Sequence, residues 1–195
     1  MIGLIGITEE YNALKKVDNP FVTKLLGSDI SVTTYIWGVN GNGKTMAIQS
    51  WLFSLKTKQE IIRVKEREEH DKEYSDRRPI PDFKYDFILQ YITMSDLVME
   101  FYKCEDNGNV NRIKTLDKFK AVDVLAIDEI DKVALTTDYK AELIFNLFDG
   151  RKGGMKKTIT AGNTSPDKLG SVLNKAIVSR VLSDTVIENT GKTLR

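Results

Sequence analysis

One eight-residue run constrains this chain more than any other: residues 38–45 are Gly-Val-Asn-Gly-Asn-Gly-Lys-Thr. Two glycines that bracket four residues before Lys-Thr form the P-loop pattern, whose backbone N–H groups turn inward around phosphate oxygens. Glycine suits this loop because a side chain would obstruct the approach, and the following helix presents its N-terminus to the anion. The residues that we expect around the phosphates are Gly38, Asn40, Gly41, Asn42, Gly43, Lys44, Thr45 and Met46.

The flanking residues favour a true phosphate loop over a glycine-rich turn that ends in Lys-Thr by chance. Ser31 to Trp37 is rich in β-branched and aromatic residues, which is typical of a buried strand. Thr45 to Leu55 lacks Gly and Pro and has apolar residues at helical spacing. A strand, a glycine loop and a helix therefore follow one another in the order that the P-loop requires.

An acidic motif completes the predicted phosphate site. The apolar run Val124 to Ile127 predicts a buried strand, and Asp128 and Glu129 follow it directly. Ligands gather at the carboxyl ends of the strands in a parallel sheet, so these acids are expected near the P-loop. The alternative is a strand that ends at a surface turn with two solvated acids.

The residue types indicate separate roles within this site. Lys44 is expected to reach the β- and γ-phosphates, while the Thr45 hydroxyl and the Asp128 carboxylate bind Mg²⁺. Glu129, beside the metal acid, can orient and deprotonate the attacking water. Because a nucleotide kinase must keep water away from the γ-phosphate, this second acid favours hydrolysis over phosphoryl transfer to a small molecule.

Asn163 ends a further strand candidate, Thr158 to Asn163. Its amide can donate or accept a hydrogen bond at the γ-phosphate or at the attacking water. From the residues alone, the alternative is a turn residue that precedes Ser165-Pro166.

The order of the elements predicts an α/β fold. Strands and helices alternate along the chain, which indicates a mostly parallel sheet with helices on both faces. The charged segment Lys56 to Asp86 predicts a helical extension followed by an exposed loop. Phe87 to Thr93 is the next predicted strand, and Ser95 is the expected N-cap of an amphipathic helix over Asp96 to Lys103.

Length and composition limit the other possibilities. With 195 residues, of which 41% are hydrophobic, the chain suffices for one well-filled domain. Lys and Arg (29) balance Asp and Glu (28), although the basic excess from Arg151 to Arg195 indicates either a solvated face or a polyanion-binding face. The single cysteine, Cys104, excludes an intramolecular disulfide, and the single histidine, His70, lies in a charged run typical of solvated side chains.

The sequence contains neither an apolar run long enough to span a membrane nor a signal pattern at its start. No membrane partner is therefore expected. We predict a soluble protein of the cytoplasm.

Several segments in a fixed order resemble a known family, the AAA+ ATPases of the DnaC/DnaI helicase-loader type and their relative IstB, the ATPase of a transposition system. The resemblance extends from about Ile30 to Arg195. It implies a P-loop NTPase of the AAA+ type, a three-layer αβα sandwich without a separate C-terminal lid domain, over residues 29–195 after a short N-terminal element over residues 1–28. Besides the P-loop, the segments are Ile92-Thr-Met-Ser-Asp-Leu97, Val124-Leu-Ala-Ile-Asp-Glu129, Leu147-Phe-Asp-Gly-Arg151, Thr158-Ile-Thr-Ala-Gly-Asn-Thr164, Ser179-Arg-Val181 and Gly191-Lys-Thr-Leu-Arg195.

The resemblance also implies ATP as the nucleotide, with Mg²⁺, and suggests roles for three polar residues. Asn163 looks like the polar sensor of the γ-phosphate, and Arg195 looks like the second sensor arginine. Arg180 looks like an arginine finger that reaches the site of a neighbouring subunit, so activity is expected to require self-assembly. For both arginines the alternative is a surface ion-pair residue.

The leading function implied by the resemblance is a loader that places a replicative helicase on single-stranded DNA. Two alternatives keep the ATPase: an IstB-like targeting factor on duplex DNA, and a nucleotide-gated protein that sequesters a replication component. The chain departs from the family in three respects: fewer than about 30 residues precede the core, the charged segment after the first helix is long, and Leu194 stands where the family's tail is usually aromatic. The expected DNA contacts are Lys103, Arg112, Lys114, Lys118 and Lys120.

Overall fold

The computed structural model of this chain describes residues 32–73, 88–103, 109–135 and 139–189. The strands are β1 (Thr33–Trp37), β2 (Leu89–Thr93), β3 (Val124–Asp128), β4 (Lys157–Gly162) and β5 (Thr185–Glu188). The helices are α1 (Lys44–Glu73), α2 (Met94–Tyr102), α3 (Asn109–Ala121), α4 (Tyr139–Gly153) and α5 (Lys175–Val181), with a 3₁₀ turn over Leu169–Ser171. The five strands are parallel and form one sheet in the order β2-β3-β4-β1-β5.

The sheet separates two apolar layers, because successive residues of a strand face opposite sides. On one side, Ile36 and Ala126 pack with the buried Ile48 of α1. Their strand neighbours Tyr35 and Leu125 belong to a larger cluster on the other side, to which α2, α3, α4 and α5 contribute. The expected three-layer α/β sandwich with a parallel sheet is therefore confirmed.

Helix α1 is much longer than its buried part. It begins at Lys44 and continues for 30 residues to Glu73, a length of about 45 Å at 1.5 Å per residue. Its first half packs on the sheet, whereas Ile61 and Val64 in the second half are 51% and 55% exposed. The predicted helical extension is therefore confirmed as far as Glu73, and residues 74–87 lie outside the described part of the chain.

The start of α2 differs from the prediction. The helix begins at Met94, and its N-cap is Thr93, the last residue of β2, with φ −80° and ψ 157°. The Thr93 hydroxyl accepts a hydrogen bond from the N–H of Asp96 at 3.1 Å, which satisfies one of the unpaired donors of the first turn. The prediction of Ser95 as N-cap is wrong because the strand continues into the helix without a loop.

Arg151 is fully buried within α4, so a solvated face is the wrong interpretation for this basic residue. Its guanidinium donates to the carbonyl oxygens of Phe119 and Val122 at 2.7 and 2.6 Å and to Thr158 Oγ1 at 2.8 Å. Burial lowers the pKa of Arg151 to about 10, against the opposing effect of Asp123. The physical reason for its burial is that carbonyl groups at the end of α3 need donors from elsewhere in the chain.

Outside the described residues lie the predicted N-terminal element over residues 1–28, the single cysteine, Cys104, and the site of Arg195. Among the helices that the structure describes, none is both long and apolar enough to cross a membrane.

We expect Arg151→Met to lower the free energy of unfolding by about 3 kcal/mol, because it leaves several buried carbonyl groups without donors. Urea unfolding followed by circular dichroism measures this change. The matched control is Lys152→Met, which removes the neighbouring cation and its 3.8 Å surface ion pair with Asp184. The control should cost less than about 1 kcal/mol. Equal losses in the two variants would contradict a special role for the buried guanidinium.

Candidate active site

Three neighbouring strands bring the predicted motifs together at one edge of the sheet. Strand β1 leads into the P-loop, β3 ends at Asp128, and β4 ends directly before Asn163. The register pairs Trp37 of β1 with Gly162 of β4, so these two strands end at the same level. The P-loop, the acidic motif and Asn163 therefore meet at the carboxyl ends of β1, β3 and β4, which is where the sequence predicts the site.

The P-loop has the backbone conformation that its glycines permit. Gly41 and Gly43 have φ values of 78° and 85°, in the left-handed region that favours glycine. A Cβ atom at Gly38 would collide with the carbonyl oxygen of Asn189. Because α1 begins at Lys44, its first N–H groups lack partners within the helix, which is the arrangement that binds phosphate at helix N-termini.

The ammonium group of Lys44 lies inside the loop. Its Nζ atom donates to the carbonyl oxygens of Gly38 and Val39 at 2.8 and 2.9 Å. It also contacts the side-chain oxygens of Asn42 at 3.2 Å and Asn163 at 2.9 Å. Three N–H donors are thus divided among four acceptors, and Lys44 joins the P-loop to the residue that follows β4.

Two carboxylates offset the cost of burying this charge. Burial lowers the pKa of Lys44, and the nearby Asp128 and Asp131 act in the opposite direction. Hydrogen bonds between an ammonium group and a phosphate oxygen are charge-assisted and gain strength where water is excluded. Lys44 can therefore exchange neutral carbonyl acceptors for phosphate oxygens.

Asp128 is the central acceptor of the predicted metal site and is 3% exposed. Its Oδ2 atom accepts hydrogen bonds from the hydroxyl groups of Thr45 at 2.6 Å and Tyr91 at 2.8 Å. Its Oδ1 atom accepts from the N–H of Glu129 at 2.8 Å. The Thr45 and Asp128 oxygens fit Mg²⁺, which takes one or two protein oxygens together with phosphate oxygens and water.

Glu129 follows Asp128 in a backbone conformation that is uncommon for a residue with a side chain. Its φ is 53°, whereas its side chain is exposed at the carboxyl edge of the sheet. Strained backbone of this kind persists where the surroundings enforce it, and it is concentrated at functional sites. An exposed carboxylate next to the buried Asp128, the predicted Mg²⁺ ligand, is suitably placed to act on a water molecule.

Asp131 joins the turn after β3 to the residues after β4. Its Oδ2 atom accepts hydrogen bonds from the N–H groups of Asn163 and Thr164, each at 2.7 Å. The hydroxyl group of Tyr35 donates to the carbonyl oxygen of Thr164 at 2.6 Å. Asn163 therefore lies in a turn, which was the alternative to a role in the site. Its side chain nevertheless contacts Lys44.

A reciprocal pair of asparagines packs against the P-loop. Asn42 Nδ2 donates to the carbonyl oxygen of Asn189 at 2.8 Å, and Asn189 Nδ2 donates to the carbonyl oxygen of Asn42 at 3.0 Å. Both residues are buried. The N–H of Asn189 also donates to the carbonyl oxygen of Trp37 at 2.7 Å, so the end of β5 is attached to the start of the loop.

Three residues of this site were not identified from the sequence: Tyr91, Asp131 and Asn189. Burial and the carboxylate of Asp128 raise the pKa of Tyr91, so its hydroxyl remains a hydrogen-bond donor. Only their positions could have indicated them: Tyr91 lies in β2, and Asp131 and Asn189 follow β3 and β5 within three residues. Position alone does not distinguish such residues from ordinary strand and turn residues.

Arg180 lies on α5, where its contacts are with α4. Its Nε atom donates to Asp149 Oδ1 at 2.7 Å, and its guanidinium carbon lies 5.4 Å from the ring centroid of Phe145. The surface ion pair expected as the alternative is therefore present. The arginine-finger role stays a prediction, because it concerns a neighbouring subunit.

Two of the basic residues predicted to contact DNA, Lys114 and Lys118, are exposed on α3 and share a face because they are four residues apart. Lys103 follows α2 and forms a 2.8 Å ion pair with Glu100. These three lysines are accessible at the surface.

The other two predicted DNA contacts pack against α4. The Arg112 guanidinium lies 5.1 Å from the ring centroid of Tyr139 and donates to its hydroxyl at 3.1 Å. The Lys120 side chain lies so close to Gly150 that a Cβ atom there would collide with it. The five basic residues therefore do not form a single accessible group.

The sequence matches the family described as "ATPase family associated with various cellular activities (AAA)" over residues 34–185. This range includes the P-loop, the acidic motif and Asn163. The chain belongs to the AAA family of ATPases. None of the curated proteins matches the sequence.

Several solved structures have a similar fold. AMPPCP-bound DnaA from Aquifex aeolicus has a TM-score of 0.63 at 17% identity over 86% of this chain, but the match covers 43% of the DnaA chain. DnaI has a TM-score of 0.61 at 17% identity over 93% of this chain and 89% of its own. The DnaC helicase loader has a TM-score of 0.57 at 20% identity over 86% of this chain and 85% of its own. At these identities the similarity establishes the AAA+ fold.

Proposed function

We propose that this AAA ATPase binds ATP with Mg²⁺, hydrolyses it, and uses the cycle to help place a replicative helicase on single-stranded DNA. The observation that supports the ATPase site most directly is the meeting of Lys44, Thr45, Asp128 and Asn163. The Thr45 hydroxyl donates to Asp128 at 2.6 Å, and Lys44 donates to Asn163 at 2.9 Å. The residues after β1 therefore contact the ends of both β3 and β4. These elements supply the cation, the metal ligands and the polar sensor that phosphoryl transfer requires.

The residues of the site have separate roles in this proposal. Thr45 and Asp128 hold Mg²⁺, which neutralises charge on the β- and γ-phosphates when it is bound. Lys44 leaves its carbonyl acceptors and binds the phosphate oxygens, and Asn163 orients the γ-phosphate or the water. Glu129 accepts a proton from the attacking water.

Arg180 acts in a neighbouring subunit in this proposal. A guanidinium group suits the role because it is planar, permanently charged and able to contact two oxygens of a phosphoryl group. Its present partner, Asp149, is 50% exposed, so the ion pair is readily exchanged for a stronger anion. Self-assembly would then be required for hydrolysis.

The helicase and DNA partners are proposed from the family resemblance and the shared fold. The DnaC helicase loader and DnaI match most of this chain and most of their own length. The exposed pair Lys114 and Lys118 offers two cations on one helix face, which suits the backbone of a single strand. Lys103, Arg112 and Lys120 contribute less in this proposal, because Lys103 is paired with Glu100 and the other two pack against α4.

We expect Glu129→Gln to keep ATP binding and to lower the turnover number by at least about a hundredfold, because glutamine has the same size but cannot accept the proton. A fluorescent ATP analogue measures binding, and phosphate release measures turnover. The matched control is Glu142→Gln, which changes an exposed glutamate in the first turn of α4. Normal hydrolysis by Glu129→Gln would refute the base assignment.

The same variant tests the loader function, because an assembly that holds ATP without hydrolysing it should retain its client. We expect affinity capture with Glu129→Gln and ATP to recover a replicative helicase from a cell extract, identified by mass spectrometry. Recovery of a transposase instead would favour a targeting ATPase of the IstB type. Recovery of another replication protein without a helicase would favour sequestration.

Replacement of both Lys114 and Lys118 by Glu should weaken binding to a single-stranded oligonucleotide. It should also reduce the slope of log affinity against log salt by about 1.4, since each lost phosphate contact contributes about 0.7. Fluorescence anisotropy over a salt series measures both quantities. The control replaces the exposed Lys58 and Lys65 of α1 by Glu, which changes the net charge equally outside α3 and outside the basic region over residues 151–195. If the two double variants bind DNA equally, α3 is not the contact surface.

Arg180→Ala and Lys44→Ala should each lose most ATP turnover when assayed alone. A mixture should recover part of it, because a Lys44→Ala subunit still supplies Arg180 to the intact site of an Arg180→Ala subunit. Phosphate release from mixtures at several ratios, with size-exclusion chromatography as a check of assembly, tests this. A mixed rate equal to the sum of the separate rates would argue against action between subunits.

A further inference from the structure

Asp131 is the third acid of the motif that begins at Asp128, and the proposed reaction leaves it without a role. Its Oδ2 atom accepts three hydrogen bonds, each at 2.7 Å: from the N–H of Asn163, the N–H of Thr164 and the Thr164 hydroxyl. Hydrogen bonds to an ionised carboxylate are roughly twice as strong as those between neutral groups. The backbone directly after β4 is therefore held by the turn after β3.

The packing around this carboxylate is tight. A Cβ atom at Gly162 would lie 2.8 Å from the Tyr35 hydroxyl oxygen and 3.2 Å from Asp131 Cγ. The same Tyr35 hydroxyl donates to the carbonyl oxygen of Thr164 at 2.6 Å. Asp131 and Tyr35 thus hold opposite ends of the Thr164 backbone, and the glycine leaves room for both.

Asn163, whose N–H donates to Asp131, is also a residue of the proposed nucleotide site. Asn163 Oδ1 accepts a hydrogen bond from Lys44 Nζ at 2.9 Å, so the position of the Asn163 backbone determines whether its amide meets the P-loop lysine. The hydrogen bonds of Asp131 therefore act on the site through Asn163.

We propose that Asp131 is a positioning residue for the polar sensor: by accepting the N–H groups of Asn163 and Thr164, it sets the Asn163 amide against Lys44 and the γ-phosphate. Asp131 acts through Asn163 and does not itself contact the nucleotide. This inference rests on the ATPase function proposed above. Because positioning matters most at the reacting phosphate, loss of Asp131 should reduce kcat rather than nucleotide affinity.

We expect Asp131→Ala to lower kcat on the order of tenfold while KM and the affinity for a fluorescent ATP analogue change by less than about twofold. Asp131→Asn, which has the same shape and keeps one acceptor oxygen, should fall between Asp131→Ala and the unchanged protein. The matched control is Asp167→Ala, an exposed aspartate in the same connection after β4. This control should leave kcat unchanged.

A double-mutant cycle separates positioning from a general structural effect. In the Asn163→Ala background, Asp131→Ala should lower kcat no further, because the residue through which it acts is already absent. The same fold reduction in both backgrounds would overturn the proposal, as would a change confined to KM. If Asp131→Ala fails to fold, the cycle with Asp131→Asn gives the same test.

Hydrogen exchange provides a measurement that does not depend on hydrolysis. The amides of Asn163 and Thr164 should exchange at least about tenfold faster in Asp131→Ala than in the unchanged protein or in Asp167→Ala. Unchanged exchange would overturn the role of Asp131 even if the protein is an active ATPase. Faster exchange in a protein that hydrolyses no ATP would instead refute the proposed ATPase function and leave the structural tie intact.

Discussion

The parallel pairing of β1 with β4 is the constraint on which the whole site depends. Its register sets Trp37 beside Gly162, so the chain enters the P-loop next to the point where it turns through Asn163. A slip of one residue would move every side chain of a strand to the opposite face of the sheet. Burial of Tyr35 in one apolar layer and Ile36 in the other prevents that slip. Packing of the apolar core thus determines how the polar residues are arranged at the carboxyl ends of the strands.

The two ends of the sheet each bury a cation, in chemically different ways. Arg151 donates to the carbonyl groups of Phe119 in α3 and of Val122 just after it, and to the Thr158 hydroxyl of β4, all of which lie in or next to regular structure. A planar guanidinium fork suits such fixed acceptors, whereas the ammonium of Lys44 is a point charge on a flexible stem. The acceptors of Lys44 are loop carbonyls and amide side chains, which can be exchanged for a ligand. One end is therefore rigid, and the other can adapt.

Local patterns were sufficient to predict the fold class, four of the five described strands and the meeting of the P-loop with the acidic motif and Asn163, because apolar periodicity and P-loop spacing are properties of short segments. These patterns failed where contacts between distant segments determine the local structure. Ser95 fits local capping preferences, but the direct junction of β2 and α2 makes Thr93 the cap. The burial of Arg151 depends on carbonyls about 30 residues away. The hydrogen bonds of Asp131 and Asn189 join residues 32 and 147 positions apart, which one sequence does not pair.

The asparagine pair at the P-loop has a mechanical consequence. Strand β5 lies at the edge of the described sheet, where it pairs with β1, so its carboxyl end is held by Asn42 as well as by the sheet. A loop that tightens around an anion must either move Asn189 with it or break both hydrogen bonds between Asn42 and Asn189. Strand β5 is in this sense coupled to the P-loop: as long as the two hydrogen bonds hold, a movement of the loop displaces Asn189 as well.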